Sequence, residues 1–356
     1  MDRPLTTSGG GGGGGGIAGS LTQFSNCMAV NMIGVKYNIV ETLTRHRKLN
    51  LQVMPKRAGD TAVITGGSRG IGAEVVKQLM ILDMHVIIGC RKEAAGVKLI
   101  DKLRKEGIQS GSAEVLLLDL NSFESVRQFS QNLLDRNIPI NILINNAGIM
   151  FVPKITTVDG FESHFQTNYL SHFLLTNLLM PLLVNGGSPY RVSRVINVSS
   201  VANFGGKINF DDLNMDKHYD KYMAYMSTKL MQVVSSKDLN ARLKADGKPV
   251  RVYSVHPGVI YTELYSNLWY LQPIGCIVKK MFKNAEQGAD GIVFVATSPE
   301  VGENDGGEFF MNCRKTVPNP KARDPSVQQK LWSASQTLVG LKSFVHNDTI
   351  EIVTMT

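Results

Sequence analysis

Strand-like apolar runs alternate with helix-like stretches from Asp60 to Met311, and the first strand passes through a glycine turn directly into a helix. These two observations predict a single α/β domain with a doubly wound, Rossmann-type parallel sheet, because near-continuous Val/Ile/Leu strands need helices on both faces. With 356 residues, 43% of them hydrophobic, the chain can bury a core of that size.

In order, residues 1–20 carry the unbroken run Gly9 to Gly16, which has no apolar surface to bury and reads as a disordered tail. Residues 21–55 are an apolar and basic segment. Its stretch Cys27 to Val40 is interrupted by Asn31, Lys36 and Asn38 and precedes Arg45-His46-Arg47-Lys48. A spanning helix needs about 20 largely apolar residues; this stretch falls short, so a helix lying on a membrane and one crossing it fit about equally. The dinucleotide-binding domain is expected at 56–315. Its strands read as Thr61 to Thr65, His85 to Cys90, Ala113 to Leu118, Ile140 to Asn145, Arg194 to Val198, Val250 to His256 and Gly307 to Met311. Helices fall at Ala73 to Leu82, Lys92 to Glu106, Ser122 to Arg136, Asp159 to Leu183 and Tyr222 to Leu243. Gly107, Gly186-Gly187 and Gly247 follow helices, where a left-handed cap residue is favoured. Residues 316–356 form an extension that wraps the domain.

The glycine turn is Thr65-Gly66-Gly67-Ser68-Arg69-Gly70-Ile71-Gly72, spaced Gly-x-x-x-Gly-x-Gly. Such a turn lets backbone approach a pyrophosphate, and the helix that follows offers free N–H groups and a positive dipole end. The second strand ends Gly89-Cys90-Arg91, without the acid that would bind ribose hydroxyls. Arg91, with Arg69 in the turn, suits a 2′-phosphate, so NADP(H) is expected, with NAD(H) as the alternative. The competing reading leaves both arginines as solvated loop residues. Asp119 is a candidate adenine contact or a cap for the helix near Ser122.

Composition narrows the classes. The net charge is +8, but no basic run is interleaved with aromatics, so nucleic acid is not an expected partner. Cys27, Cys90, Cys276 and Cys313 lie far apart without a Cys-x-x-Cys pair, which argues against a metal site and a dense disulfide framework. His164 and His172 read as core residues, and the sequon Asn197-Val198-Ser199 falls in a buried strand.

Asn145-Asn146-Ala147-Gly148, Ser199-Ser200, Tyr225 to Lys229 and His256-Pro257-Gly258 each fall at the carboxyl end of a strand or on the next helix, where open α/β sheets place ligands. Tyr225 and Lys229, four apart, share a helix face. A tyrosine with a pKa near 10 is a poor acid-base catalyst, and a neighbouring ammonium lowers that value.

Together these motifs are similar to those of the short-chain dehydrogenase/reductase family over roughly Asp60 to Met311. The resemblance implies a catalytic tetrad of Asn168, Ser200, Tyr225 and Lys229. In it Ser200, rather than Ser199, binds the substrate oxygen and Tyr225 exchanges the proton. Lys229 contacts the nicotinamide ribose, and Asn168 holds a water linking the lysine to solvent. Cofactor contacts are implied at Gly66, Ser68, Arg69, Gly70, Ile71, Gly72, Arg91, Asp119, Leu120, Asn146, Tyr225 and Lys229, and at Val259 and Thr262 in the segment Pro257 to Thr262. Gly160 to Phe173 and the insertion between Ser200 and Tyr225 are similar to the retinol dehydrogenase branch; Leu143 to Pro153 and His256 to Tyr265 are similar to its polyprenol-dehydrogenase-like members. The resemblance therefore implies a lipophilic alcohol or carbonyl as substrate, a retinoid or a long isoprenoid such as polyprenol or dolichal. An endoplasmic-reticulum or lipid-droplet surface is the implied location, with the cytoplasm as the alternative.

Between Tyr261 and Phe282 an apolar segment reads either as a lid over a hydrophobic substrate or as a packed helix or dimer interface; Lys279, Lys280 and Lys283 beside it could meet anionic headgroups. A homodimer pairing through Tyr222 to Leu243 also fits. The competing functions are a cofactor-binding interaction protein with little turnover and a steroid-type dehydrogenase.

Overall fold

The computed structural model describes residues 17–44, 47–260 and 283–341. Among these residues one eight-stranded sheet is built from β1 (Thr61–Thr65), β2 (His85–Cys90), β3 (Ser112–Leu117), β4 (Ile142–Asn145), β5 (Ser193–Val198), β6 (Val250–His256), β7 (Phe309–Met311) and β8 (Arg314–Thr316). The spatial order is β3-β2-β1-β4-β5-β6-β7-β8. All neighbours are parallel except β8, which turns back antiparallel on β7. The order reverses between β1 and β4, the switch point at which such sheets open a crevice beyond their carboxyl ends.

Alternation along the strands divides the core in two. Val63, Ile87, Leu143, Val195 and Val252 point into one layer, with α4 (Phe123–Arg136), α5 (Ser171–Leu178), α6 (Met180–Gly186), α7 (Lys221–Ala245) and α9 (Pro325–Leu338). Ala62, Ile64, Val86, Ile88, Ile142 and Ile144 point into the other, with α2 (Gly70–Ile81), α3 (Glu93–Lys105) and α8 (Ala285–Thr297). Both faces of the sheet are therefore covered, which is why its strands carry few polar residues.

Several expectations need correction. The helix expected over Asp159 to Leu183 begins only at Ser163 and passes within two residues into a π-helical turn, Phe165–Leu170, that runs into α5. Glu162 causes the late start: its carboxylate accepts the His164 and Phe165 amides. Pro181 sits in the first turn of α6 and so separates it from α5. Gly107 and Gly247 have positive φ, as caps should, but Gly187 does not. At Gly186 and Gly187 space decides instead, since a Cβ would lie 2.2 Å from the carbonyl oxygens of Ile140 and Pro249 respectively. α8, rich in alanine and glycine, and the three-residue β8 carry little periodic signal and were not anticipated.

The N-terminal segment forms a long helix, α1 (Ile17–Leu43), which starts inside the expected tail. One face docks on the body: Tyr37 stacks on Phe204 at 5.1 Å, Val30 packs with Met150, Phe151, Tyr222 and Met226, and Asn26 donates to Asp220, the N-cap of α7. The other face leaves Leu21, Phe24, Met28, Met32, Val35, Ile39 and Leu43 between 48% and 78% exposed. No helix among the described residues is long and apolar enough to cross a membrane. At the other end of the chain, α9 lies on α7, with Arg242 4.4 Å above the Trp332 ring and donating to Gln329.

Candidate active site

The glycine turn is held from below by Asn146, whose Nδ2 donates to the carbonyls of Thr65 at 2.9 Å and Gly66 at 3.3 Å. Gly66 has a φ of 67°, and a Cβ on Gly72 would lie 2.3 Å from the Gly66 oxygen, so both positions require glycine. Over Gly70, by contrast, nothing lies within 4 Å of where a Cβ would stand. Arg69 gives no side-chain cap to the start of α2. The turn thus leaves helix N–H groups facing open space, a cradle that fits a pyrophosphate.

Ser68 hydrogen-bonds the Cys90 thiol at the end of β2, Ile71 packs into the core layer beneath α8, and Arg69 and Arg91 are exposed at the rim. Asp119 does not cap α4. Ser122 does, accepting from the Ser125 amide, while the Asp119 carboxylate accepts the Asn121 amide at 3.0 Å. Leu120 is buried, its carbonyl accepting from Ser171. Thr262 and the apolar segment 261–282 lie outside the described residues.

The four tetrad residues converge. Ser199, the rival serine, is buried and donates to the Lys229 carbonyl at 2.7 Å, whereas the Ser200 hydroxyl, which accepts the Ala202 amide, is close enough to the Tyr225 phenol to lower its pKa. Lys229 Nζ lies 5.7 Å from the Tyr225 ring centroid and donates to the Val198 carbonyl at 2.8 Å and to Gln232 Oε1 at 3.2 Å. Asn168 braces the strand-four loop, accepting from the Ile149 amide at 2.8 Å and donating to the Ile149 carbonyl and to Thr228.

Charge states follow from burial. Desolvation pushes the Tyr225 phenol up to about 12, against the opposing influence of Ser200, and pulls the Lys229 ammonium down to about 7. The expected lowering of the phenol by the lysine does not appear, because the ring is walled by Phe151, edge-on at 5.1 Å, and the ammonium is turned toward Val198 and Gln232.

Two groups at this end of the sheet, Gln232 and Glu41, escaped the sequence reading, and His172, read as a core residue, is buried here. Gln232 stands between Lys229 and the Asn168 carbonyl. His172 bridges Thr65 and that same carbonyl. Glu41 of α1 is buried with Oε1 3.2 Å from Lys283 Nζ and 3.6 Å from His256 Nε2, and its other oxygen accepts the Val259 amide. Lys283, expected to meet headgroups, is instead paired inside the protein. The one usable signal was that Glu41 is the sole acid in α1.

The short chain dehydrogenase family model matches residues 60–270, a span holding the glycine turn and all four tetrad positions. The chain belongs to this family. As a short-chain dehydrogenase it is an NAD(P)-dependent oxidoreductase acting on CH–OH groups. It is 40% identical over 299 residues to the polyprenol dehydrogenase of Danio rerio, covering 83% of this chain and 92% of the relative. Identity to the Homo sapiens retinol dehydrogenase 14 is 38% over 299 residues, 80% and 87% of the two chains. Among solved structures, an uncharacterized Mycobacterium paratuberculosis protein superimposes with a TM-score of 0.66 and 32% identity, over 82% of this chain and 98% of that one. The Pseudomonas aeruginosa RhlG/NADP active-site complex gives a TM-score of 0.58 and 25% identity, over 72% and 95%. Glu41 and Lys283 lie outside the span that the family model matches.

Proposed function

We propose that this short-chain dehydrogenase interconverts a long lipophilic alcohol, of the polyprenol or retinoid class, and its carbonyl, using NADP(H) at a membrane surface. The observation that carries the reading is the position of Tyr225. Its hydroxyl meets Ser200, Lys229 lies beside its ring, and around them stand Phe151, Met150, Tyr222 and, from α1, Val30. A reacting oxygen placed against Ser200 and Tyr225 would leave its hydrocarbon chain on an apolar wall, and that wall is partly supplied by the helix bearing the exposed apolar face.

The nicotinamide group, when bound, supplies or accepts the hydride. The protein's own part is to orient the substrate oxygen and to handle one proton. Ser200 donates to the oxygen and steadies charge as it develops. As a neutral phenol Tyr225 is the acid that carbonyl reduction needs; for alcohol oxidation it must act as phenolate, a form favoured whenever Lys229 carries its proton. Lys229 would also hold the ribose, and the amides from Gly70 onward would hold the pyrophosphate. Arg69 and Arg91, with no acid at the end of β2, favour the 2′-phosphate of NADP(H) over NAD(H). The relatives named for polyprenol and retinol support this substrate class.

Purified protein in detergent should oxidise NADPH faster than NADH when given a polyprenal or retinal, and Tyr225→Phe should lower kcat by roughly 100-fold or more while still binding NADPH. Absence of turnover on every lipophilic carbonyl, or full activity in Tyr225→Phe, would overturn the reading.

A further inference from the structure

A buried ammonium has three N–H donors to satisfy, and an unpaired one is costly. Lys229 has a backbone acceptor, Val198, that cannot move, and a side-chain acceptor, Gln232 Oε1, one turn further along α7. Gln232 is itself buried and tied at its far end, where Nε2 donates to the Asn168 carbonyl at 2.8 Å. That carbonyl is available because it lies in the π-helical turn, where the usual ladder slips by one residue. It also accepts from His172 Nδ1 at 3.2 Å, and His172 Nε2 lies 2.9 Å from Thr65 Oγ1. Thr65 Oγ1 already accepts the Asn146 and Ala147 amides, so its own hydrogen goes to His172, which fixes the imidazole as the Nδ1–H tautomer. Two runs of hydrogen bonds, one from the glycine turn and one from the lysine, thus each donate toward the Asn168 carbonyl and meet there.

We propose that Gln232 is the positioning residue of this site, holding the Lys229 ammonium in register with Tyr225 and occupying the place that the family resemblance assigns to a water on Asn168. The proposal rests on the reading of Tyr225 and Lys229 as the reacting pair. Its chemical consequence is specific: an amide can anchor an ammonium but does not pass a proton along as a water does, so Lys229 exchanges protons on its Tyr225 side. The titratable groups facing it are Tyr225 on its own helix, His172 on α5 and His256 at the end of β6; burial keeps both histidines neutral, at about 4. At neutral pH the lysine's charge therefore responds chiefly to the acceptor that Gln232 supplies.

The test uses the full chain and three variants. Gln232→Met preserves length and packing but removes the acceptor; Gln232→Ala leaves room for a water between Lys229 and Asn168; Gln232→Glu keeps the acceptor and adds a negative charge. The pKa of Lys229 is read without cofactor from the pH dependence of its acetylation, followed by mass spectrometry, alongside melting temperature, kcat and KM. The expected pKa falls by about one unit in Gln232→Met and rises by at least as much in Gln232→Glu. In Gln232→Met kcat should fall roughly tenfold with little change in KM, and Gln232→Ala should be more active than Gln232→Met although it melts lower. Activity that merely follows melting temperature, or a Lys229 pKa unchanged in the folded variants, overturns the proposal. Tyr225→Phe separates the two readings: if it keeps normal turnover, the assignment of the reacting pair fails; if it is inactive while Gln232→Met matches the parent, only the role of Gln232 fails.

Discussion

A neutral imidazole at His172 serves Thr65 and Asn168 together, and a protonated one cannot, because the Thr65 oxygen has no lone pair left for a second N–H. His172 and His256 are both pulled by burial from 6.5 to about 4. Each takes up its proton more readily in the unfolded chain, so the stability they permit is complete above pH 6.5 and lost as pH falls toward 4. The size is about 3 kcal/mol per histidine. Urea unfolding followed between those limits should show a steep acid loss, and His172→Gln should shallow that slope by up to one proton. An unchanged slope would mean that His172 is not held neutral. At this scale chemistry was legible wherever it has a spacing: Tyr225 and Lys229 share a face because they are four apart, and Ser199-Ser200 narrows the serine to two. Gln232 had no such mark. A glutamine three residues after a lysine acquires meaning only when a carbonyl from another element stands opposite.

Among the elements, α1 joins substrate chemistry to surface. Its outward apolar residues recur every three or four positions from Leu21 to Leu43, while Val30 and Cys27 on the opposite face reach the cluster around Tyr225. Because Phe24, Met28 and Met32 face away from that cluster, replacing all three with serine should leave turnover of a short, soluble carbonyl intact. Vesicle flotation should show binding weakened by roughly 100-fold, taking about 1 kcal/mol per residue as a modest share of full burial. Undiminished flotation would exclude this face as the contact. The amino-acid pattern marked the segment as apolar with interruptions; which residues face out depended on Tyr37 finding Phe204 and Asn26 finding Asp220.

On the scale of the molecule, the C-terminal helix α9 completes the larger core layer. Trp332 packs edge-on to Phe173 at 5.0 Å beneath the Arg242 guanidinium, and Ser335 hydrogen-bonds the Tyr169 hydroxyl at 2.8 Å. Trp332→Ala should cost about 3–5 kcal/mol, read as a fall in the urea midpoint. NADPH affinity in the remaining folded protein should hold, because the glycine turn lies on the opposite layer. The alternation of strands and helices, the glycine turn and the shared face of Tyr225 and Lys229 were determined by the sequence alone, since each depends on local period or on short spacing along one element. The late start of the π-helical turn, the insertion of Glu41 between His256 and Lys283, and the Thr65–His172–Asn168–Gln232–Lys229 run were decided only by tertiary structure. The last two join groups dozens of residues apart or more, and whether a buried polar atom finds its partner depends on how the chain closes; the first is local, but nothing in the periodic pattern marks Glu162 as the residue that ends the loop.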